Sequence, residues 1–323
     1  MPLSNLQLST PSSQGHIAPR SQLIATSCQL ITYIMSELRG FFPEEELREL
    51  AFWIIEETTG LTRTQILTGD KGTTKNAHLQ ELDSILQQLR SHTPIQYIFG
   101  HTQWMGLDLR VTPATLIPRP ETAELVEWIL HTVSPRAHAR VIDIGTGSGC
   151  IAIALKKAAP HWQVTGIDIS EEALQVAKEN AERNNVAVDW LQADILAPIA
   201  NNLLPIADII VSNPPYICEK EKKDMAPRVL DHEPHSALFV PDTDPLLFYR
   251  QIASLAFLPS TSVAELQTND LQAQPIYLFF EINEAYGNEV CDMMRQMGYS
   301  NVELKYDMYG KPRMVAGRIV RQG

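Results

Sequence analysis

Apolar residues recur at helical spacing through the N-terminal part of the chain. Ile24, Ile31, Ile34, Met35 and Leu38 share one face of a helix over residues 23–38, and Gly40 stands where a left-handed C-terminal cap is needed. Pro43 and the three glutamates after it open a second helix, whose stripe is Leu47, Leu50, Ala51, Ile54 and Ile55 and whose end is Gly60. A short helix over 62–67, a polar loop over 68–76 and an amphipathic helix carrying Leu79, Leu82, Ile85, Leu86 and Leu89 follow. Such stripes joined by short loops predict a small bundle with its apolar faces packed together. Residues 21–100 are therefore expected to form an N-terminal helical domain, and residues 1–20 a disordered tail.

Between residues 104 and 111 the period changes to two, with Leu107, Leu109 and Val111 alternating around Gly106. This predicts a β-hairpin, so residues 101–115 are expected to link two domains. The segment 116–122 is held extended by Pro118 and Pro120, and Thr122 is placed to cap a helix through Leu125, Val126 and Ile129. After residue 139 short β-branched runs alternate with helical stretches, the rhythm of a parallel sheet covered on both faces. The predicted strands are 141–144, 164–169, 188–192, 209–212 and 277–282, and the runs 302–306 and 314–320 predict a closing antiparallel hairpin. The polar stretch 259–275 reads as an exposed loop insertion in a domain spanning 116–323.

A length of 323 residues suits two domains. No apolar run reaches the roughly 18 residues of a membrane span, and the N-terminus lacks the basic start and apolar block of a secretory signal. Cys28, Cys150, Cys218 and Cys291 are far apart, which argues against a metal site and a disulfide framework. A soluble protein of the reducing cytoplasm is expected, with no membrane partner. The net charge of −12 opposes a broad phosphate-binding surface, so a protein or small-molecule partner is expected rather than direct nucleic-acid binding.

The first predicted strand of the sheet runs into Gly145, Thr146, Gly147, Ser148 and Gly149, before a helix of small residues. Glycines there let the backbone turn tightly and approach a ligand, at the strand ends where open α/β sheets bind cofactors. A nicotinamide-binding loop usually reads GxGxxG, whereas this one reads DxGxGxG, and Asp143 puts a carboxylate where an ammonium group can be held. Asp168 ends the second strand, where it can accept both ribose hydroxyls. Asp194 follows the third and is placed either to accept from an adenine amino group or to cap a turn. Ser170, Glu171 and Glu172 read as ordinary helix N-terminus chemistry.

The buried run Ile209–Val211 ends in Ser212-Asn213-Pro214-Pro215-Tyr216. Two prolines stiffen the turn and donate no hydrogen bond, so nearby carbonyls stay free to accept, Asn213 adds a side-chain carbonyl, and Tyr216 offers a flat face. An amide or aromatic amine has its lone pair delocalised. Acceptors that take both of its N–H hydrogens raise its reactivity as it attacks an electrophile. An ordinary strand-ending turn is the other reading of the same residues.

Together DIGTGSG at 143–149, GIDIS at 166–170 and NPPYI at 213–217 resemble class I S-adenosylmethionine-dependent methyltransferases. TPIQYIFG at 93–100, LIPRPETAELVEW at 116–128, HEPHSAL at 232–238 and the C-terminal run from Gly298 to Arg318 are similar, more narrowly, to the release factor glutamine methyltransferase family. The resemblance implies a Rossmann-like, seven-stranded class I methyltransferase sheet with an N-terminal helical bundle that binds the release factor. It also implies methylation of the side-chain amide of the glutamine in the Gly-Gly-Gln loop of class 1 release factors. Carried over by position, Gly145 to Gly149, Asp168, Asp194, Ile195 and Asn213 would bind S-adenosylmethionine. Asn213, Pro214, Pro215 and Tyr216 would hold the glutamine, with Asn213 and Tyr216 catalytic, Arg119 and Pro120 walling the pocket, and Glu233 with Pro234 shaping its lip. No metal and a monomeric chain are expected. Ala123 stands where the family has an acid, Ile195 where some members carry an aromatic residue beside adenine, and 259–275 is longer than usual.

Three other readings share parts of this pattern. A nucleic-acid adenine methyltransferase uses the same Asn-Pro-Pro-Tyr pocket on a flipped base, but the acidic balance and the lack of a basic recognition domain oppose it. A non-catalytic nucleotide-binding module needs neither Asn213 nor Tyr216. A nicotinamide dehydrogenase fails on the loop spacing.

Overall fold

A computed structural model of the chain describes residues 27–69, 76–133, 138–197, 204–257 and 275–320. The expected tail over 1–20, residues 23–26 of the expected first helix with Ile24, residues 70–75 of the expected polar loop and residues 259–274 of the expected insertion lie outside them. Two compact units are present, the first ending at Ile95 and the second beginning at Gln96.

In the first unit, α1 (Ser27–Leu38), α2 (Glu44–Thr59), α3 (Arg63–Leu67) and α4 (Asn76–Arg90) follow the predicted stripes. The buried line on α1 is Leu30, Ile34 and Leu38, with Ile31 and Met35 half-buried beside it, and it packs with Leu47, Ala51, Ile54 and Ile55 of α2 and Leu82, Ile85, Leu86 and Leu89 of α4. Gly60 closes α2 at φ 71°, its amide donating to the Glu56 carbonyl. Thr62 and Gln65 cap α3 reciprocally, each side chain accepting from the other's backbone amide.

The second unit starts along α5 (Ile95–Phe99) and the hairpin of β1 (His101–Trp104) and β2 (Leu107–Arg110), which turns at Met105 and Gly106. Then α6 (Pro120–Val133), β3 (Arg140–Ile144), α7 (Cys150–Ala158), β4 (Gln163–Asp168), α8 (Glu171–Arg183) and β5 (Asp189–Gln192) alternate. After β6 (Ile209–Ser212) come the short β7 (Ile217–Cys218), α9 (Pro227–Leu230), α10 (His235–Leu238) and β8 (Phe239–Val240). The unit ends with α11 (Leu247–Ser254), β9 (Pro275–Glu281), α12 (Gly287–Gln296), β10 (Ser300–Tyr306) and β11 (Pro312–Val320).

Seven strands form one sheet in the order β10-β11-β9-β6-β3-β4-β5. The five from β9 to β5 are parallel, and β11 and β10 close the edge antiparallel, as the sequence pattern predicts. Both faces of the central strands β6 and β9 are covered, so these read as nearly continuous apolar runs, whereas β5 and β10 toward the edges carry exposed polar residues. Val141, Ile209, Val211 and Phe279 pack under α6 and α7, while Ile142, Ile144, Ile210, Leu278 and Phe280 pack under α11 and α12. Pro275, expected in the loop insertion, is instead the first residue of β9 and pairs with Val320. Strand order reverses between β3 and β6. Such a switch point opens a crevice at the carboxyl ends of the strands.

Candidate functional site

Beyond the ends of β3, β4, β5 and β6 lies a cavity of about 390 Å³. Its wall includes Gly145, Thr146, Gly147, Ser148, Asp168, Asp194, Ile195 and Asn213. The loop after β3 is held from below. The Thr146 amide donates to the Ile167 carbonyl at 2.9 Å, and the Gly147 amide to Asp168 Oδ2 at 2.9 Å. Gly145 and Gly147 sit at φ 69° and 54°, where side chains are strained. The other Asp168 oxygen accepts from the Ser170 amide at 2.9 Å, and burial raises the carboxyl's pKa. Each oxygen keeps a lone pair for a ligand. Asp194 is exposed on the rim, with Oδ1 accepting from the Leu196 amide, so it closes a turn and faces the cavity at once.

A second cavity, of about 300 Å³, adjoins the first. The two share Leu116, Arg119, Asn213, Pro214 and Ala237, and the second adds Tyr216, Ile217, Met225, Val229 and Leu238. Among the described residues no donor meets the carbonyls of Asn213, Pro214 or Pro215. The Asn213 amide group, Nδ2, lies 3.4 Å from Thr122 Oγ1, which itself donates to Glu281 Oε2 at 2.6 Å. Tyr216 donates to the other carboxylate oxygen, Oε1, at 3.2 Å, and burial pushes the phenol's pKa well up. Arg119 reaches Glu233 Oε1 at 2.5 Å, and the Ile117 amide reaches Oε2 at 3.3 Å. The Arg119 carbonyl accepts from the Trp104 indole at 2.8 Å, which pins the extended segment to the hairpin.

This chain matches two family models, the methyltransferase small domain over residues 124–237 and the PrmC N-terminal domain over residues 29–100. It is 40% identical over 287 residues to a release factor glutamine methyltransferase of Flavobacterium psychrophilum, covering 88% of this chain and 96% of that one. A protein of the same description from Bacteroides thetaiotaomicron is 41% identical over 288 residues, covering 89% of this chain and 98% of that one. The chain belongs to the release factor glutamine methyltransferase family. Its sheet is that of a class I methyltransferase, and it uses S-adenosylmethionine.

For a member of this family the larger cavity fits that cofactor. Its floor is a loop with no side chain at Gly145 and Gly147, and beside it stand a carboxylate with spare lone pairs for vicinal hydroxyls and the aliphatic side chains Ile169, Ile195 and Leu196 for a flat base. Most of the expected residues converge on the two cavities, and four stand off their walls, among them Pro234, which precedes α10. Gly149 caps α7 at φ 80°, and a Cβ there would press on Trp190, Ala177 and Ile153 at 3.0–3.1 Å, so its role is packing. Pro120 is the exposed first residue of α6. Glu233, 4% exposed, sits behind the wall as the anchor of Arg119 rather than on a lip.

Asp143 also differs from its reading as an ammonium holder. It is fully buried under the loop, where Oδ2 accepts from Thr146 Oγ1 at 2.6 Å and from the Ala152 amide at 3.2 Å. Thr122 lies within the first turn of α6 and spends its hydroxyl on Glu281 instead of capping the helix. Glu281 went unnoticed in the sequence. The signal was an acid closing the run Ile276–Phe280, at the carboxyl end of a buried strand beside β6.

Proposed function

We propose that this chain methylates the side-chain amide nitrogen of the glutamine in the Gly-Gly-Gln loop of class 1 peptide release factors, with the glutamine in the smaller cavity. The observation that carries this reading is that the two cavities meet at Asn213 and Pro214. S-adenosylmethionine, when bound, supplies a methyl group on an electrophilic sulfonium. Gly145 to Ser148, Asp168, Asp194, Ile195 and Asn213 would hold it.

The remaining work falls to residues of the chain. The amide group of Asn213 faces Thr122, so its side-chain carbonyl is left to accept one N–H of the glutamine. The Pro214 carbonyl, fixed by the proline ring, accepts the other. With both hydrogens held, the nitrogen lone pair is drawn out of amide resonance toward the larger cavity, and most of the acceleration comes from alignment and fixed dipoles. The Tyr216 ring lies along the carboxamide and keeps water away. The methylated nitrogen loses its extra proton to solvent, so no strong base is required. Arg119, Pro214 and Pro215 shape the opening, and Glu233 holds Arg119.

The N-terminal helical unit is the release-factor-binding domain in this reading. The hairpin residues 101–115 act as linker, and the chain works as a cytoplasmic monomer without direct nucleic-acid binding. No helix among the described residues is long and apolar enough to cross a membrane. The test is transfer of labelled methyl to a purified class 1 release factor, beside the same factor with its loop glutamine changed to alanine and an adenine-containing oligonucleotide. Label on the intact factor alone is expected. Label on the oligonucleotide alone would instead support the adenine methyltransferase reading.

A further inference from the structure

Beneath the smaller cavity Glu281 is buried to 1% exposure, at the end of β9 and paired across the sheet with Met314. A buried carboxylate costs stability that an apolar side chain would not. Its two oxygens serve the two cavity side chains separately, Oε2 through Thr122 and Oε1 directly to Tyr216. An ionised carboxylate only accepts, so the Thr122 hydroxyl proton must point at Glu281. The Thr122 oxygen then has only lone pairs to offer Asn213, which fixes the Asn213 amide group toward Thr122 and its carbonyl toward the cavity. Without the carboxylate, the hydroxyl is free to rotate and donate to the Asn213 carbonyl, which removes that acceptor from the substrate.

We infer that Glu281 is a positioning residue that sets the direction of hydrogen bonding through Thr122 to Asn213, so that the Asn213 carbonyl faces the primary amide as an acceptor, and that it holds the Tyr216 ring in place beside it. The inference rests on the reading of the smaller cavity as the glutamine site. Protonation of Glu281 turns one of its oxygens into a donor and reverses one of its two bonds. The ionisable groups around it come from every neighbouring element. They are Glu121 on α6, Cys150 on α7, Tyr216 after β6, Tyr249 on α11 and Arg313 on β11. Burial, the largest influence, raises the Glu281 pKa against the pull of Thr122, Arg313 and Tyr216. Turnover should therefore fall on acidification at a pH above the ordinary carboxyl range.

The experiment compares Glu281→Gln, Thr122→Val, Thr122→Ser and the double variant Glu281→Gln/Thr122→Val in steady-state transfer to a release factor. Cofactor Kd is measured by calorimetry alongside. Glu281→Gln and Thr122→Val are expected to lower kcat on the order of 100-fold, with KM for the factor and cofactor Kd within about twofold. Thr122→Ser, which keeps the hydroxyl, recovers most of the Thr122→Val loss, and because Glu281→Gln keeps one carbonyl oxygen to accept from Tyr216, the double variant is no slower than Thr122→Val alone. The acid limb of the kcat profile disappears in Glu281→Gln.

Unchanged kcat in Glu281→Gln, or losses that multiply in the double variant, would overturn the inference. If Glu281→Gln does not fold, equal kcat for Thr122→Val and wild type overturns it just as well. A wild-type chain that binds the cofactor but labels no release factor overturns the site reading and this inference with it. A labelled factor with an unaffected Glu281→Gln variant overturns this inference alone.

Discussion

Asp143 shows how much one buried oxygen decides. Its Oδ2 accepts two hydrogen bonds, whereas Oδ1 is buried with no partner among the described residues, and burial pushes the carboxyl pKa up to about 7 from 3.8. Between those two values the folded chain keeps a proton that the unfolded chain has released. Stability therefore falls as pH rises through that window and levels off above it, by on the order of 4 kcal/mol in all. Asp143→Asn keeps the two accepted bonds and removes the titration. Urea unfolding between about pH 5.5 and about pH 8 should show the slope in the wild type and a flatter line in the variant. Parallel lines would refute the assignment. At this scale the sequence showed the residues whose chemistry is local, such as Asn213 beside two prolines and Asp168 at a strand end. It could not show Thr122 and Glu281 together, because they lie 159 positions apart and meet only once α6 and β9 have packed.

Among the elements, the β4–β5 pair fixes the cofactor loop from an unexpected side. Gly166 pairs with Trp190, and the indole comes so close that a Cβ at 166 would stand 2.3 Å from Cζ3 and 2.6 Å from Cε3. The same indole reaches to 3.0 Å of the Cβ position of Gly149, at the start of α7. One ring thus clamps a strand to the end of the glycine loop. Gly166→Ala must displace it, and the expected cost is about 2 kcal/mol with a weaker cofactor Kd, read by thermal unfolding and calorimetry. Trp190→Leu in the same chain should recover part of both losses, since the two sites share one contact. Strand and helix positions were legible here because period and caps are local. The reason for the Gly166 position was not, since a strand glycine announces a close approach without naming the neighbour. The same limit made the loop insertion one residue too long at Pro275, where pairing with β11 overrides the proline's preference for a loop.

For the whole molecule, the boundary between helical and α/β units was visible where the apolar period changed from helical to two. Contacts place it at Ile95/Gln96, inside α5, because a short helix can end one unit and begin the next without any change of period. Two units have a kinetic consequence. If the first holds the release factor, the loop glutamine reaches its cavity at an effective concentration set by the tether, and the gain appears in KM rather than kcat. A whole release factor should then show a kcat/KM on the order of 100-fold above that of a short peptide carrying the same glutamine loop. Among the described residues of the first unit, Phe41 and Leu67, 44% and 57% exposed, are large apolar side chains open to a partner. Phe41→Ser with Leu67→Ser leaves the packed stripes untouched, and it should raise KM for the whole factor about tenfold. Peptide methylation, kcat and cofactor Kd should stay as they are, because none of these depends on the first unit. An equal rise in KM for factor and peptide would place the effect in the α/β unit instead, and no rise for either would remove these two side chains from the interface.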